Sequence, residues 1–274
     1  MASQNLDTDE FEDRSTDQQK PKESILASQI DEGLNELERP ASGLFLSALS
    51  AGLDIGFGPL LMAVLATLVG SAWGEPLTSL LIANAYAVGF IFVVLGRSEL
   101  FTEHTTLAVL PVLDKQASPG QLGRLWGIVY VGNVVGGAVF AVSMVYLAPA
   151  YGIAETSAFT DIASKLVEHE PLVLLAGGVL AGWMMGLLSW LVAAAQETTS
   201  RVFFVWLVTT SIGVAHLPHS IAGNVEVLAG TIVSASISPL DYLEFLALAT
   251  VGNAIGGTVF VALLKYGHVV RGGK

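Results

Sequence analysis

The chain has 274 residues, 53% of them hydrophobic and only 13% charged, with a mean hydropathy of +0.64. Apolar runs of about 20 residues, the length that crosses a bilayer, recur after residue 42; this excludes an ordinary soluble domain and leaves little chain for a separate one. The absence of cysteine excludes disulfides, thiolate metal sites and cysteine nucleophiles, and with a formal charge of −12 no cofactor and no nucleic-acid partner are expected.

Eleven of the 24 acidic residues precede Pro40, so the charge imbalance belongs largely to the first segment. Residues 1–40 read as an acidic cytoplasmic tail without the apolar core of a signal peptide. Within it Leu26, Ile30, Leu34 and Leu37 recur at helical spacing, which predicts an amphipathic helix near 24–38 lying on the membrane surface. The acidic composition also suits a halophile with a high-salt cytoplasm.

Residues 41–268 read as a six-helix transmembrane domain with spans near 43–70, 76–96, 125–148, 171–195, 202–217 and 242–267. Residues 269–274 form a short C-terminus. With the N-terminus inside, Arg14, Lys20, Lys22, Arg39, Lys115, Arg124, Arg201, Lys265, Arg271 and Lys274 all fall on the cytoplasmic side and only Lys165 outside, so both termini are expected in the cytoplasm. Asp54 lies within the first span without an evident partner.

Two apolar stretches, Leu100–Leu113 and Ser220–Ser236, are too short to span and begin at polar clusters. Both read as second halves of broken helices, in spans 2 and 5. The block from Gly132-Asn133 to Phe140 recurs from Gly252-Asn253 to Phe260, 252 − 132 = 120 positions later. A repeat of three spans inserts its second copy upside down, the pattern of inverted-repeat transporters; close helix packing through Gly-x-x-x-Gly is the plainer reading of the same glycines.

Unwound backbone within a bilayer is tolerated where it is buried in protein or lines a wet cavity. The breaks therefore mark one candidate pathway, with Thr102 and His219 as approximate counterparts. Helix N-termini there favour an anion, and His219 is placed to trade a proton with a weak acid; bonding a backbone carbonyl is its alternative role. Arg97, Glu99, Glu103 and His104 read chiefly as ion-pair anchors, Glu103 and His104 being secondary polar candidates. Asn133 and Asn253 either bridge helices or bind solute.

Glu99-Leu100-Phe101-Thr102, Trp126 with Val129-Tyr130-Val131-Gly132-Asn133, His219-Ser220-Ile221-Ala222 and Gly252-Asn253 together resemble the formate/nitrite transporter family over residues 40 to 268. The resemblance implies an aquaporin-like fold, a homopentamer with one pore per protomer, and proton-linked passage of monovalent weak-acid anions. By the same resemblance His219 matches the central pore histidine, Thr102 the loop threonine and Asn253 the hydrogen-bonding asparagine. Tyr86, Phe90, Leu100, Phe101 and Ile212 match the apolar constrictions.

Several positions depart from the family pattern: Leu217-Pro218 before the histidine, Asn224 displaced by one position behind Gly223, and Ser189 where asparagine is common. Lys165 does not align with the family's extracellular lysine. With the charged first break, these departures point to a divergent branch. Three rival readings remain: an aquaporin-type channel for neutral solutes, whose Asn-Pro-Ala motifs are missing; a Ser189-based intramembrane protease, whose Gly-x-Ser-Gly is missing; and a sensor or scaffold with a closed pore.

Overall fold

The computed structural model describes residues 20–70 and 72–272, which are helical throughout, without a strand among the described residues. Residues 1–19 of the acidic tail lie outside them. Helix α1, Lys22–Glu38, buries Ile25, Leu26, Ile30 and Leu37. Ile25, Leu26 and Ile30 are spent on protein rather than on a membrane surface, because Val109, Leu110, Trp190 and Val269 offer a matching apolar cluster, and Leu37 joins the main core.

The first span is two helices, α2 (Ala41–Ile55) and α3 (Phe57–Val69), joined at Gly56. Asp54 beside the joint accepts the Ser50 hydroxyl at 3.1 Å. Helix α4 covers Glu75–Gly96. The first half-helix divides into α5 (Phe101–Leu107) and α6 (Leu110–Leu113). Helix α7, Pro119–Ala150, starts at a Ser118/Gln121 capping box with proline in its first turn, where the missing amide costs nothing.

A twelve-residue helix that the span scheme passed over, α8 (Thr156–Val167), follows. It buries Phe159, Ile162, Ala163 and Leu166, an i, i+3, i+4, i+7 stripe legible in the sequence. Helix α9 covers Pro171–Ala194 and α10 Thr198–Val214. Helix α11, Ser220–Val233, is the second half-helix. Helix α12 (Pro239–Ile255) runs through a π-helical segment, Gly256–Leu263, into α13 (Leu264–Arg271).

Five of these stretches, the α2–α3 pair, α4, α7, α9 and the α12–α13 run, are long and apolar enough to cross a bilayer. The α10–α11 pair supplies the sixth crossing in two short pieces. Large apolar side chains such as Leu46, Leu68, Val131, Val139, Leu180 and Leu243 stand exposed on the outside, as a hydrocarbon solvent requires.

The two halves pack by the same device. A Cβ on Gly52 would collide with the backbone of Asn133, and one on Gly182 with the backbone of Asn253. Glycine at these points lets α2 touch α7 and α9 touch α12 backbone to backbone. Gly182→Ala is therefore expected to push α9 off α12 and to cost about 1–3 kcal/mol. A thermal unfolding curve in detergent indistinguishable from wild type would disprove the tight approach.

Candidate functional site

At each break the chain performs the same manoeuvre 216 − 97 = 119 residues apart. Arg97 (φ 54°) and His216 (φ 48°) take the left-handed conformation, which a side-chain-bearing residue adopts only when its surroundings demand it. The following amides, of Ser98 and Leu217, reach back to the carbonyls of Val93 and Ile212 at 3.2 and 3.1 Å. Left-handed His216 also ends α10 at Val214, short of the expected 217.

The freed backbone is then taken up by asparagine. Asn133 Oδ1 accepts Phe101 N–H at 2.8 Å, and its Nδ2 donates to the carbonyls of Ala48 and Glu99, each at 2.8 Å. Asn253 repeats the set, accepting Ser220 N–H at 2.8 Å and donating to Gly178 and Pro218 at 2.8 and 2.9 Å. All three bonds that each amide makes go to backbone groups. This register pairs Leu100 with His219 as the residues capping α5 and α11; Thr102, expected as the counterpart of His219, stands two residues further on.

Thr102 and His219 nevertheless meet. Thr102 Oγ1 lies 2.9 Å from His219 Nε2, and both residues are buried. His219 Nδ1 accepts Ala222 N–H at 3.2 Å, capping α11. A neutral ring with Nδ1 so engaged carries its proton on Nε2 and donates it to Thr102, which leaves the threonine's own proton for another acceptor. The adjacent Ser220 hydroxyl is buried without a partner among the described residues.

Aromatic and aliphatic groups close in around this pair. The Phe90 and His219 rings meet edge to face with centroids 5.0 Å apart, and Tyr86 stands 5.0 Å from Phe90. Phe101 is wedged between Trp126 and Tyr130 at 5.8 and 5.1 Å, and Leu100 and Ile212 are fully buried. Thr106 Oγ1 donates to the Gly257 carbonyl at 3.0 Å, and Thr258 Oγ1 donates to that of Thr105 at 3.0 Å. The π-helical segment is thus tied to α5.

Two cavities flank the constriction. One, of about 740 Å³, is roofed by α8 and reaches Tyr86, Ile212 and His219. Lys165 lines it, so the fold brings that lysine to the pathway although its alignment did not. The other, about 520 Å³, opens on the α1 side, where Arg97, Glu99, Glu103 and Ser189 line it.

Glu99 pairs with Arg39 at 2.5 Å and His104 at 2.6 Å, and Arg39 also holds Glu36 at 2.7 Å. Arg97 and Glu103 form no ion pair among the described residues. Burial and the neighbouring Glu99 carboxylate raise the Glu36 pKa above its ordinary value, against Arg39. Asn224 lies off the pathway, donating to the Val134 carbonyl at 3.2 Å and accepting the Tyr242 hydroxyl at 2.7 Å. Glu226, which the sequence reading passed over, lines the larger cavity; a lone acid inside an apolar half-helix was the available signal.

Six crossings, two of them broken and joined through a buried histidine–threonine pair between two cavities, define a membrane transport protein of the pore type rather than an enzyme. The family model described as Formate/nitrite transporter matches residues 23–267. The chain belongs to that family. It is 32% identical over 241 residues to Inner membrane protein YfdC of Escherichia coli (strain K12), covering 87% of this chain and 76% of that protein. It is 28% identical over 247 residues to the Probable formate transporter of Methanothermobacter thermautotrophicus, covering 83% and 89%. A solved structure described as a pentameric formate channel with formate bound superposes with a TM-score of 0.73 at 25% identity, over 84% of this chain and 98% of that one.

Proposed function

We propose that this protein carries small monovalent anions of weak acids, formate or nitrite in kind, together with a proton, along a pathway through His219 and Thr102. The observation that carries the reading is the 2.9 Å contact between these two residues where the broken helices meet, with a cavity on either side. Family membership and the formate channel among its structural relatives support it. Tyr86, Phe90, Leu100, Phe101 and Ile212 form the apolar walls that exclude hydrated ions. Asn253 serves the pathway indirectly, by fixing the residues beside it.

The assembly is a homopentamer in a cell membrane, as in that relative. Both termini are cytoplasmic, which puts α1 and the smaller cavity on the cytoplasmic side. Residues 1–40 are the tail, 41–268 the pore domain and 269–274 the C-terminus. The acidic surface fits a divergent branch working in high salt.

The test is stopped-flow uptake into proteoliposomes across a panel of small anions, with urea and glycerol as neutral controls. Formate or nitrite uptake is expected, rising as external pH falls. Permeation by the neutral solutes alone would make this a neutral-solute channel, and no flux at all would leave a sensor or scaffold.

A further inference from the structure

Glu226 lies on α11 seven residues beyond His219. At 100° and 1.5 Å per residue, that places it on the same helix face about 10 Å further along. Its side chain is 6% exposed and lines the larger cavity with Tyr86 and His219. Among the described residues it has neither a hydrogen bond nor an ion pair. Its carboxyl opens on the cavity rather than being sealed in the core. Folding alone supplies no reason for a glutamate here.

The charges around it are mostly of its own sign. Helix α8 faces the cavity with Asp161 and Lys165, and the segments at its two ends add Glu155 and Glu168. Helix α4 contributes Tyr86 and Glu75, and the second break contributes His216 and His219. Helices α3 and α10 line the cavity without an ionisable side chain, and α7 and α12 supply none of its lining. A cleft so lined concentrates protons rather than anions.

His219 is poorly placed to meet that supply of protons. To hold a proton it could give away, its ring must be protonated on Nδ1, the atom that caps α11 through Ala222 N–H. Glu226 has no such commitment.

Resting on the weak-acid reading of function, we infer that Glu226 is a proton-exchange site, whose carboxyl protonates the entering anion in the cavity so that the solute reaches His219 as the neutral acid. The O–H bond at Glu226 breaks and an O–H bond forms on the solute, leaving a Glu226 carboxylate and, for formate, formic acid. Water in the cavity mouth returns the proton before the next passage. This moves the proton exchange expected at His219 to Glu226 and leaves the histidine as a neutral hydrogen-bond donor.

The experiment follows formate flux and internal acidification in proteoliposomes carrying a pH dye, for the wild type, Glu226→Gln and Glu226→Asp. Near neutral pH the Gln variant is expected to lose about tenfold or more in both, the scale of a positioned acid, with partial recovery in Asp. Near the pKa of formic acid, where the neutral acid is abundant without help, the curves should converge. Parallel pH profiles for wild type and Gln would overturn the inference.

A measurement on the wild type alone guards against a variant that fails to assemble. Nitrate, which no carboxyl can protonate, should permeate at least about tenfold more slowly than nitrite, and equal rates would also overturn the inference. Absence of weak-acid flux from the wild type at every pH would instead defeat the functional reading, and this inference with it.

Discussion

Asn253→Ala is expected to lower the thermal midpoint sharply, and to cost several kcal/mol. The truncation strips partners from Ser220 N–H and from the Pro218 and Gly178 carbonyls. A buried polar group without a partner costs about 1–3 kcal/mol, and hydrocarbon offers no water in exchange. Asn253→Asp keeps an acceptor for Ser220 but turns a carboxylate oxygen toward two carbonyls, so it should rescue nothing. Asn133→Ala should do comparable damage at the first break, where the same three bonds are made. The readout is the unfolding midpoint in detergent together with elution of the assembled protein. A midpoint for Asn253→Ala within a degree or two of wild type would show that the breaks hold themselves.

The second large effect separates the two tasks of His219. His219→Asn offers α11 another good capping side chain, so its stability should stay close to wild type. His219→Ala loses the cap and should cost about 1 kcal/mol. Both variants remove the imidazole beside Thr102 and should reduce formate uptake by about tenfold or more, the penalty for losing a well-placed hydrogen-bond donor in a desolvated site. Uptake by the Asn variant at wild-type rate would remove the ring from the mechanism, whereas uptake lost only in the Ala variant would assign its importance to the cap.

Much of this architecture is legible in the sequence because bilayer thickness makes crossings conspicuous and the repeated Gly-Asn blocks mark the two halves. Pro218 and the charged run at Arg97 betray the breaks for a similar reason, since neither belongs in an uninterrupted apolar helix. What the asparagines bond to was not legible, because their partners are backbone groups of Ala48 and Gly178 on other helices. The pairing of Leu100 with His219 was hidden too, as it depends on where each half-helix starts, and aligning the polar residues moved it by two positions. The joint at Gly56 did carry a sign that went unread, since Pro59 in the first turn of α3 has no amide with which to continue α2. Helix α8 was within reach, had its 3.6-residue stripe been weighed against the longer runs beside it. The docking of α1 was not, for an amphipathic stripe fits protein and membrane surface equally well.

Leu100 and His219 cap their half-helices with nearly the same backbone geometry, φ −104° and ψ 127° against φ −102° and ψ 120°. The scaffold is therefore close to twofold while its lining is not: one half sets an imidazole where the other sets an isobutyl group. On the proposed pathway a solute from the α8 cavity, which His219 lines, would meet the ring before the leucine, and one from the α1 cavity would meet them in reverse. Equal and opposite gradients need not drive equal currents through such a barrier, and exchanging the two side chains is expected to exchange the two directional rates.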